Sequence, residues 1–455
     1  MTNLTLKSAI GLLVTVLALS GCKKDPGEPI ASVPPTDYDA NLLAAIEAVG
    51  GTSEFTMPMS TDYASIPQDP TNPMNTAKVQ LGKLLFHETA IATGAKLEDP
   101  GTETYACASC HHAWGGFQAN KQQGIGEGGS GFGFAGEGRE FSSVYPLDSI
   151  DLQPLRTPTA MNGAYQEAML WNGQFGAQGV NEGTEDLWPM GTPIWNNHFG
   201  HAGLEIQAIA GLTVHRLVLD EQFCQDYALY EDLFDLAFPD WPEETRYTER
   251  TAGLAIAAYE RTLLSNQAPF QLWLQGDYNA MTDQQKRGAE LFFGKANCVA
   301  CHSGPALNSM TFYAYGMNDM EGNGTYGASS DNTVNLGRGS FTQDPADDYK
   351  FKTPQLYNMK DSPFMGHGGT FTNIRDVVAY KNDGVAENLN VPQDQLAAEF
   401  VALGLTEAEI DDLTAFLENG LYDPNLLRYV PSDLPSGNCI PNNDPISQID
   451  QGCVQ

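Results

Sequence analysis

Two pentapeptides hold the residues best suited to chemistry: Cys107-Ala108-Ser109-Cys110-His111 and Cys298-Val299-Ala300-Cys301-His302. Both read C-x-x-C-H. At that spacing two thiols can add to the two vinyl groups of one haem, while the adjacent histidine reaches the iron from one face. Zinc sites and dithiol redox centres also use C-x-x-C, but a histidine directly after it, twice in one chain, favours haem. The motifs predict two covalently attached haems c, with His111 and His302 as iron ligands.

Haem of this type is attached outside the cytoplasm, and the N-terminus fits export. Lys7 precedes an apolar run from Ala9 to Leu19, too short to span a bilayer comfortably. Leu19-Ser20-Gly21-Cys22 resembles a bacterial lipoprotein processing box. Removal of residues 1–21 and lipidation of Cys22 are expected, with an ordinary signal peptide as the alternative. Residues 22–38 read as a flexible tether. Lys23, directly after the cysteine, fits outer-membrane sorting. The expectation is a periplasmic protein held at a membrane by its lipid alone.

Helices must position the motifs. Apolar residues recur every three or four positions in Val79–Phe86, upstream of the first motif, and in Lys286–Gly294, before the second. Further helical patterns cover Leu204–Leu219, Arg250–Leu264 and Glu407–Glu418, the last opened by Thr406 as N-cap. Short helices around a covalent porphyrin predict a mainly α fold: two cytochrome c-like haem domains, 39–275 and 276–430, with long irregular loops and a tail, 431–455. The glycine-dense segment 115–138 has no strand–turn–helix setting or lysine to make a phosphate cradle, so it reads as a solvent-exposed loop near the first haem. Asn318–Asp348 is expected to cover the other haem or a seam between domains. In an oxidising compartment Cys439 and Cys453 are expected to pair as a local disulfide, leaving Cys224 as a buried free thiol. With 57 acidic against 23 basic residues and a formal net charge of −34, nucleic acid is excluded as a partner. A partner with a basic docking face is favoured.

Between Ile66 and Leu417 the chain resembles the bacterial di-haem cytochrome c peroxidase family, including its methylamine-utilisation (MauG-type) branch. The fragments that carry the resemblance run in order around the two haem motifs. They are Leu81-Gly82-Lys83-Leu84-Leu85-Phe86, Arg156-Thr157-Pro158-Thr159-Ala160-Met161-Asn162, Leu170-Trp171-Asn172-Gly173 and Leu204-Glu205-Ile206-Gln207-Ala208. After the second motif come Phe351-Lys352-Thr353-Pro354-Gln355-Leu356 and Ser362-Pro363-Phe364 with His367-Gly368-Gly369. The resemblance implies that the first haem meets peroxide and the second stores and relays electrons. It implies Glu205 as the distal acid–base group, against the alternative of a solvated helix carboxylate. It implies Trp171 as a relay between the haems, against an ordinary core tryptophan.

Several departures stand beside it. No histidine occurs between His112 and His198, where typical members place one that blocks the first iron, so that haem is expected to need no reductive activation. The family's calcium site draws on an asparagine that Leu155-Arg156-Thr157-Pro158-Thr159 lacks, which counts against calcium. For the second iron's sixth ligand, Tyr380 resembles the MauG-type tyrosine, with Met365 as the alternative. Three functions follow. The first is a peroxidase that reduces hydrogen peroxide with electrons from a small cytochrome or cupredoxin. The second is a MauG-type oxidase acting on a partner protein or organic substrate, and the third a di-haem electron-transfer lipoprotein. Oligomeric state, a homodimer included, is left open.

Overall fold

Eight helices of nine residues or more, among the described residues, provide the framework. They are α1 (Asp37–Glu47), α2 (Thr76–His87), α3 (Gly203–Val214), α4 (Ala228–Ala237), α5 (Glu249–Glu260), α6 (Asp283–Phe293), α7 (Ile374–Asp383) and α8 (Glu407–Ala415). The structure is a computed structural model that describes residues 34–322 and 324–453. The leader and Cys22 lie outside the described residues. Among the described residues, sheet is confined to two antiparallel two-stranded ladders. Gly129–Ser130 (β1) pairs with Glu140–Phe141 (β2), and Phe312–Tyr313 (β3) with Phe351–Lys352 (β4). The rest is helices of seven residues or fewer and long irregular segments.

The helix starts follow from side-chain capping of orphan amides. Asn75 accepts from the Lys78 amide at α2, and Asn373 from the Asp376 amide at α7. Thr282 and Thr406 form capping boxes with Gln285 and Glu409 at α6 and α8, Thr406 being the residue expected to cap there. Helix α3 stops at Val214, short of the expected Leu219. Arg216 takes the left-handed conformation (φ 57°), and the Leu217 amide turns back to the Leu212 carbonyl.

Each C-x-x-C-H motif lies beside a pair of helices that cross at a glycine. Helix α2 meets α5 at Gly82, where a Cβ would collide with the Ala255 carbonyl. Helix α6 meets α8 at Gly288, where a Cβ would collide with the Asp412 carbonyl. Only glycine allows backbones this close. Two apolar cores result. One gathers Leu81, Leu85, Phe86, Leu204, Ile256 and Tyr259; the other gathers Phe270, Trp273, Phe292, Phe293, Leu413 and Phe416.

The cores do not follow chain order at the ends. Helix α1 packs Leu42 and Ile46 into the second core, where buried Asp39 accepts from Lys286 Nζ at 2.7 Å and from Trp273 Nε1 at 2.7 Å. Leu426, Tyr429 and Leu434 pack into the first core instead. The glycine-dense segment also departs from expectation. Residues 123–129 are buried, because the Arg139 guanidinium donates to the Ile125 carbonyl (2.6 Å) and the Gly126 carbonyl (2.7 Å). The tail closes over it. Asp444 accepts from the Gly131 amide at 3.0 Å, and Cys439 and Cys453 are joined by a disulfide. Cys224 is buried and unpaired.

Candidate active site

Both motifs adopt one local conformation. A single 3-10 turn begins at the first cysteine, and the histidine amide donates to that cysteine's carbonyl, at 3.0 Å for His111 and 2.9 Å for His302. Each imidazole is then oriented through Nδ1. His111 uses the Phe117 carbonyl at 3.3 Å, and His302 the Leu307 and Pro354 carbonyls, both at 3.1 Å. That leaves Nε2 of each ring for a metal. Burial pushes both imidazoles down to about 4, so they are neutral, as iron ligation requires.

All four motif cysteines and both histidines line one continuous cavity of about 730 Å³. Its wall is otherwise largely apolar, from Phe86 and Ile256 at one end to Val377 and Phe400 at the other. Gly124 leaves room beside Cys110, whose sulfur would lie 3.2 Å from any Cβ there. Two buried cations on the wall have no carboxylate partner among the described residues. Arg156 donates through Nη2 to Ser362 Oγ at 2.9 Å and leaves Nε unpartnered; burial lowers it to about 9. Lys352 Nζ reaches only the Gln166 side-chain oxygen and the Ala168 carbonyl, and burial lowers it to about 7. Thiols, neutral imidazoles, a long apolar slot and unpaired buried cations together suit two haems c, whose propionates would supply the missing anions.

The family model for di-haem cytochrome c peroxidase matches residues 76–279. Cytochrome-c peroxidase IdrP1 of Denitromonas iodatirespirans is 29% identical over 401 residues, covering 83% of this chain and 90% of the relative. The methylamine utilization protein MauG of Methylophilus methylotrophus is 28% identical over 367 residues, covering 78% and 85%. Over most of its length the chain is similar to members of the di-haem cytochrome c peroxidase family. Its fold is similar to that of a MauG-like protein associated with microbial copper homeostasis, with a TM-score of 0.56 at 23% identity over 82% of this chain and 96% of that one. This similarity supports oxidoreductase chemistry of peroxidase type and haem c as the cofactor class.

The expected residues take different positions. Trp171 is on the cavity wall, pinned by its indole Nε1 donating to the Arg156 carbonyl (2.8 Å) and by the Lys352 amide donating to its own carbonyl (2.8 Å). Glu205 is not on that wall. It is fully buried on α3, where its two oxygens accept from Arg261 Nε (3.0 Å) and Nη2 (2.6 Å) and Oε1 also faces Asn72 Nδ2 (3.3 Å). A carboxylate so bound is occupied by its partners. Asp151, Asp319, Glu399 and Glu260 are the wall carboxyls, and Glu260, at the end of α5, is the one whose Oε2 is buried without a partner. Burial first, and the nearby Glu205 charge second, push Glu260 up to about 8, against the opposing pull of Arg261.

Tyr380, too, is absent from the cavity wall. Its hydroxyl donates to the Tyr315 carbonyl at 2.6 Å. Helix phase explains this: Ile374 and Val378 are buried in the second core, so Val377 and Lys381 face the cavity, and Tyr380 is a 100° step away. Met365 lines the cavity and also packs in the second core. His367 stacks on Phe351 and reaches Asp319 Oδ1 at 3.1 Å, while His112 is packed between Trp114 and Phe132.

Sequence reasoning passed over three wall residues: Glu260, Lys381 and His215. His215, at the end of α3, meets Asp151 Oδ2 at 2.7 Å. Burial would lower it, but that carboxylate outweighs burial and raises it. A histidine therefore does reach the first motif's side of the cavity, from α3 rather than from the loop after the motif. The one signal for Glu260 was a charged residue ending the apolar run Ala255-Ile256-Ala257-Ala258-Tyr259.

Proposed function

We propose that the chain is a di-haem c-type peroxidase that reduces hydrogen peroxide to two waters, taking two protons and two electrons, with electrons from a small periplasmic redox donor. The observation that carries the reading is the single cavity lined by both C-x-x-C-H motifs. Cys107, Cys110 and His111, and Cys298, Cys301 and His302, would hold two haems, which would supply the redox chemistry when bound.

The chain's own residues supply the rest. Peroxide cleavage needs a proton moved from one oxygen to the other beside the iron. Glu260 suits this, being unpaired at Oε2, on the wall and protonated near neutral pH. Glu205 acts behind it: the charge it holds against Arg261 helps keep Glu260 protonated. Trp171, fixed at two points, is the relay residue between the two motifs. Each motif with its crossing helix pair forms a haem domain, the two exchanging their terminal segments. Lipidation at Cys22 would tether the exported protein to a membrane. The oxidase alternative rested on Tyr380 at the second iron and on the missing histidine after the first motif; the hydrogen bond from the Tyr380 hydroxyl to the Tyr315 carbonyl counts against the first of these supports.

Peroxide consumption by the haem-loaded chain with a reduced donor tests this. Activity is expected in the wild type, with kcat lower by about 10²–10⁴ in Glu260→Gln, the span typical of a lost acid–base group. No consumption above the variant, with both haems attached, would contradict it.

A further inference from the structure

Lys381 is one of two lysines on the cavity wall, and unlike Lys352 its Nζ donates to no protein oxygen among the described residues. Among the described residues its Nζ has no hydrogen-bond acceptor and no carboxylate within ion-pair distance. The Tyr315 ring, 3.1 Å from Nζ to its centroid, covers one side, and the rings of Phe400 (5.5 Å) and Tyr380 (5.9 Å) stand further off. A half-buried amine that faces aromatic rings on an apolar wall has no hydrogen bond or ion pair within the protein to hold it there. It lies close enough to the second motif for its charge to act on Cys298, Cys301 and His302. From α7 it can reach the cavity only because Val377 and Lys381 share a helix face.

We propose that the Lys381 amine is the sixth ligand of the second haem iron, on the face away from His302. This rests on the reading of the second motif as a haem site. Ligation forms one Fe–N bond, uses the nitrogen lone pair and releases one ammonium proton to solvent, with no change in oxidation state. The sulfur candidates on the same wall, Met317, Met359 and Met365, all pack against the second core, which accounts for them without iron. Lys381 has no such account. An amine in place of a thioether removes the sulfur that raises a haem's potential, so the second haem would sit lower than a methionine-ligated one.

The test uses the full-length chain matured with both haems. Intact mass is read first, then electron paramagnetic resonance and magnetic circular dichroism of the ferric protein. Wild type is expected to show a low-spin second haem with two nitrogen ligands, and Met365→Leu and Tyr380→Phe to leave that signature intact. Lys381→Ala is expected to lose it. Lys381→Met is expected to replace it with a thioether signature and a positive shift in potential, and it decides the matter if the alanine variant does not fold. An unchanged spectrum in both Lys381 variants would overturn the assignment. So would a wild-type thioether signature abolished by Met365→Leu, or a phenolate signature abolished by Tyr380→Phe. A mass without two haems would overturn the parent reading instead, which separates the two failures.

Discussion

Two neighbouring carboxylates, Glu205 and Glu260, have opposite environments and should fail differently when altered. Glu205 is fully buried against the Arg261 fork. Removing one partner of such a pair strands the other charge, so Glu205→Ala is expected to destabilise the fold by about 3–5 kcal/mol in denaturant titration. A variant as stable as wild type would show the pair to be solvated. Glu260 keeps its proton up to about 8 in the folded chain, against 4.5 for an ordinary glutamate. Between those values the unfolded chain holds fewer protons than the folded one, so stability falls as pH rises through that window. Thermal melts from pH 4.5 to 8 should show that decline in wild type and a flatter profile in Glu260→Gln. Equal slopes would mean that Glu260 titrates normally.

Among the elements, the glycine crossings set where each motif sits. Gly82→Ala and Gly288→Ala each force a Cβ onto a facing carbonyl across a helix crossing. Each is expected to cost about 1–3 kcal/mol, the usual penalty of overpacking, and to lower the melting temperature. An unchanged melting temperature would show that the helices can separate without loss. The helices themselves were readable from sequence: α2, α5, α6 and α8 coincide with apolar periodicity, and Thr406 caps where its position before Glu409 indicated. Two things were not readable. Helix phase moved the cavity-facing position from Tyr380 to Lys381, a one-residue step that only the packing of Ile374 and Val378 fixes. The glycine-dense segment looked like a surface loop because its burial depends on Arg139 and on Asp444 over 300 residues away.

Across the whole molecule, the shared cavity is the feature that joins the two haem motifs into one device. C-x-x-C-H spacing made the proposed attachment residues legible, since that chemistry is local to five residues. The wall that gathers Trp171, Glu260 and Lys381 is assembled from segments far apart in the chain and left no pattern. The exchanged ends, with α1 on the second core and Tyr429 on the first, were invisible for the same reason. The net charge of −34 acts at longer range. Turnover with a basic reduced cytochrome is expected to fall as ionic strength rises from about 0.01 to 0.15 M, where the screening length shortens from about 30 to 8 Å. A rate independent of salt would show that the acidic surface does not guide docking. The central claim is that both irons serve one two-electron reaction in this cavity. Rapid mixing of the fully reduced protein with one equivalent of peroxide, followed by absorbance, tests it most directly. Both haems should oxidise, two electrons per peroxide; oxidation of one haem alone, or of neither, would contradict it.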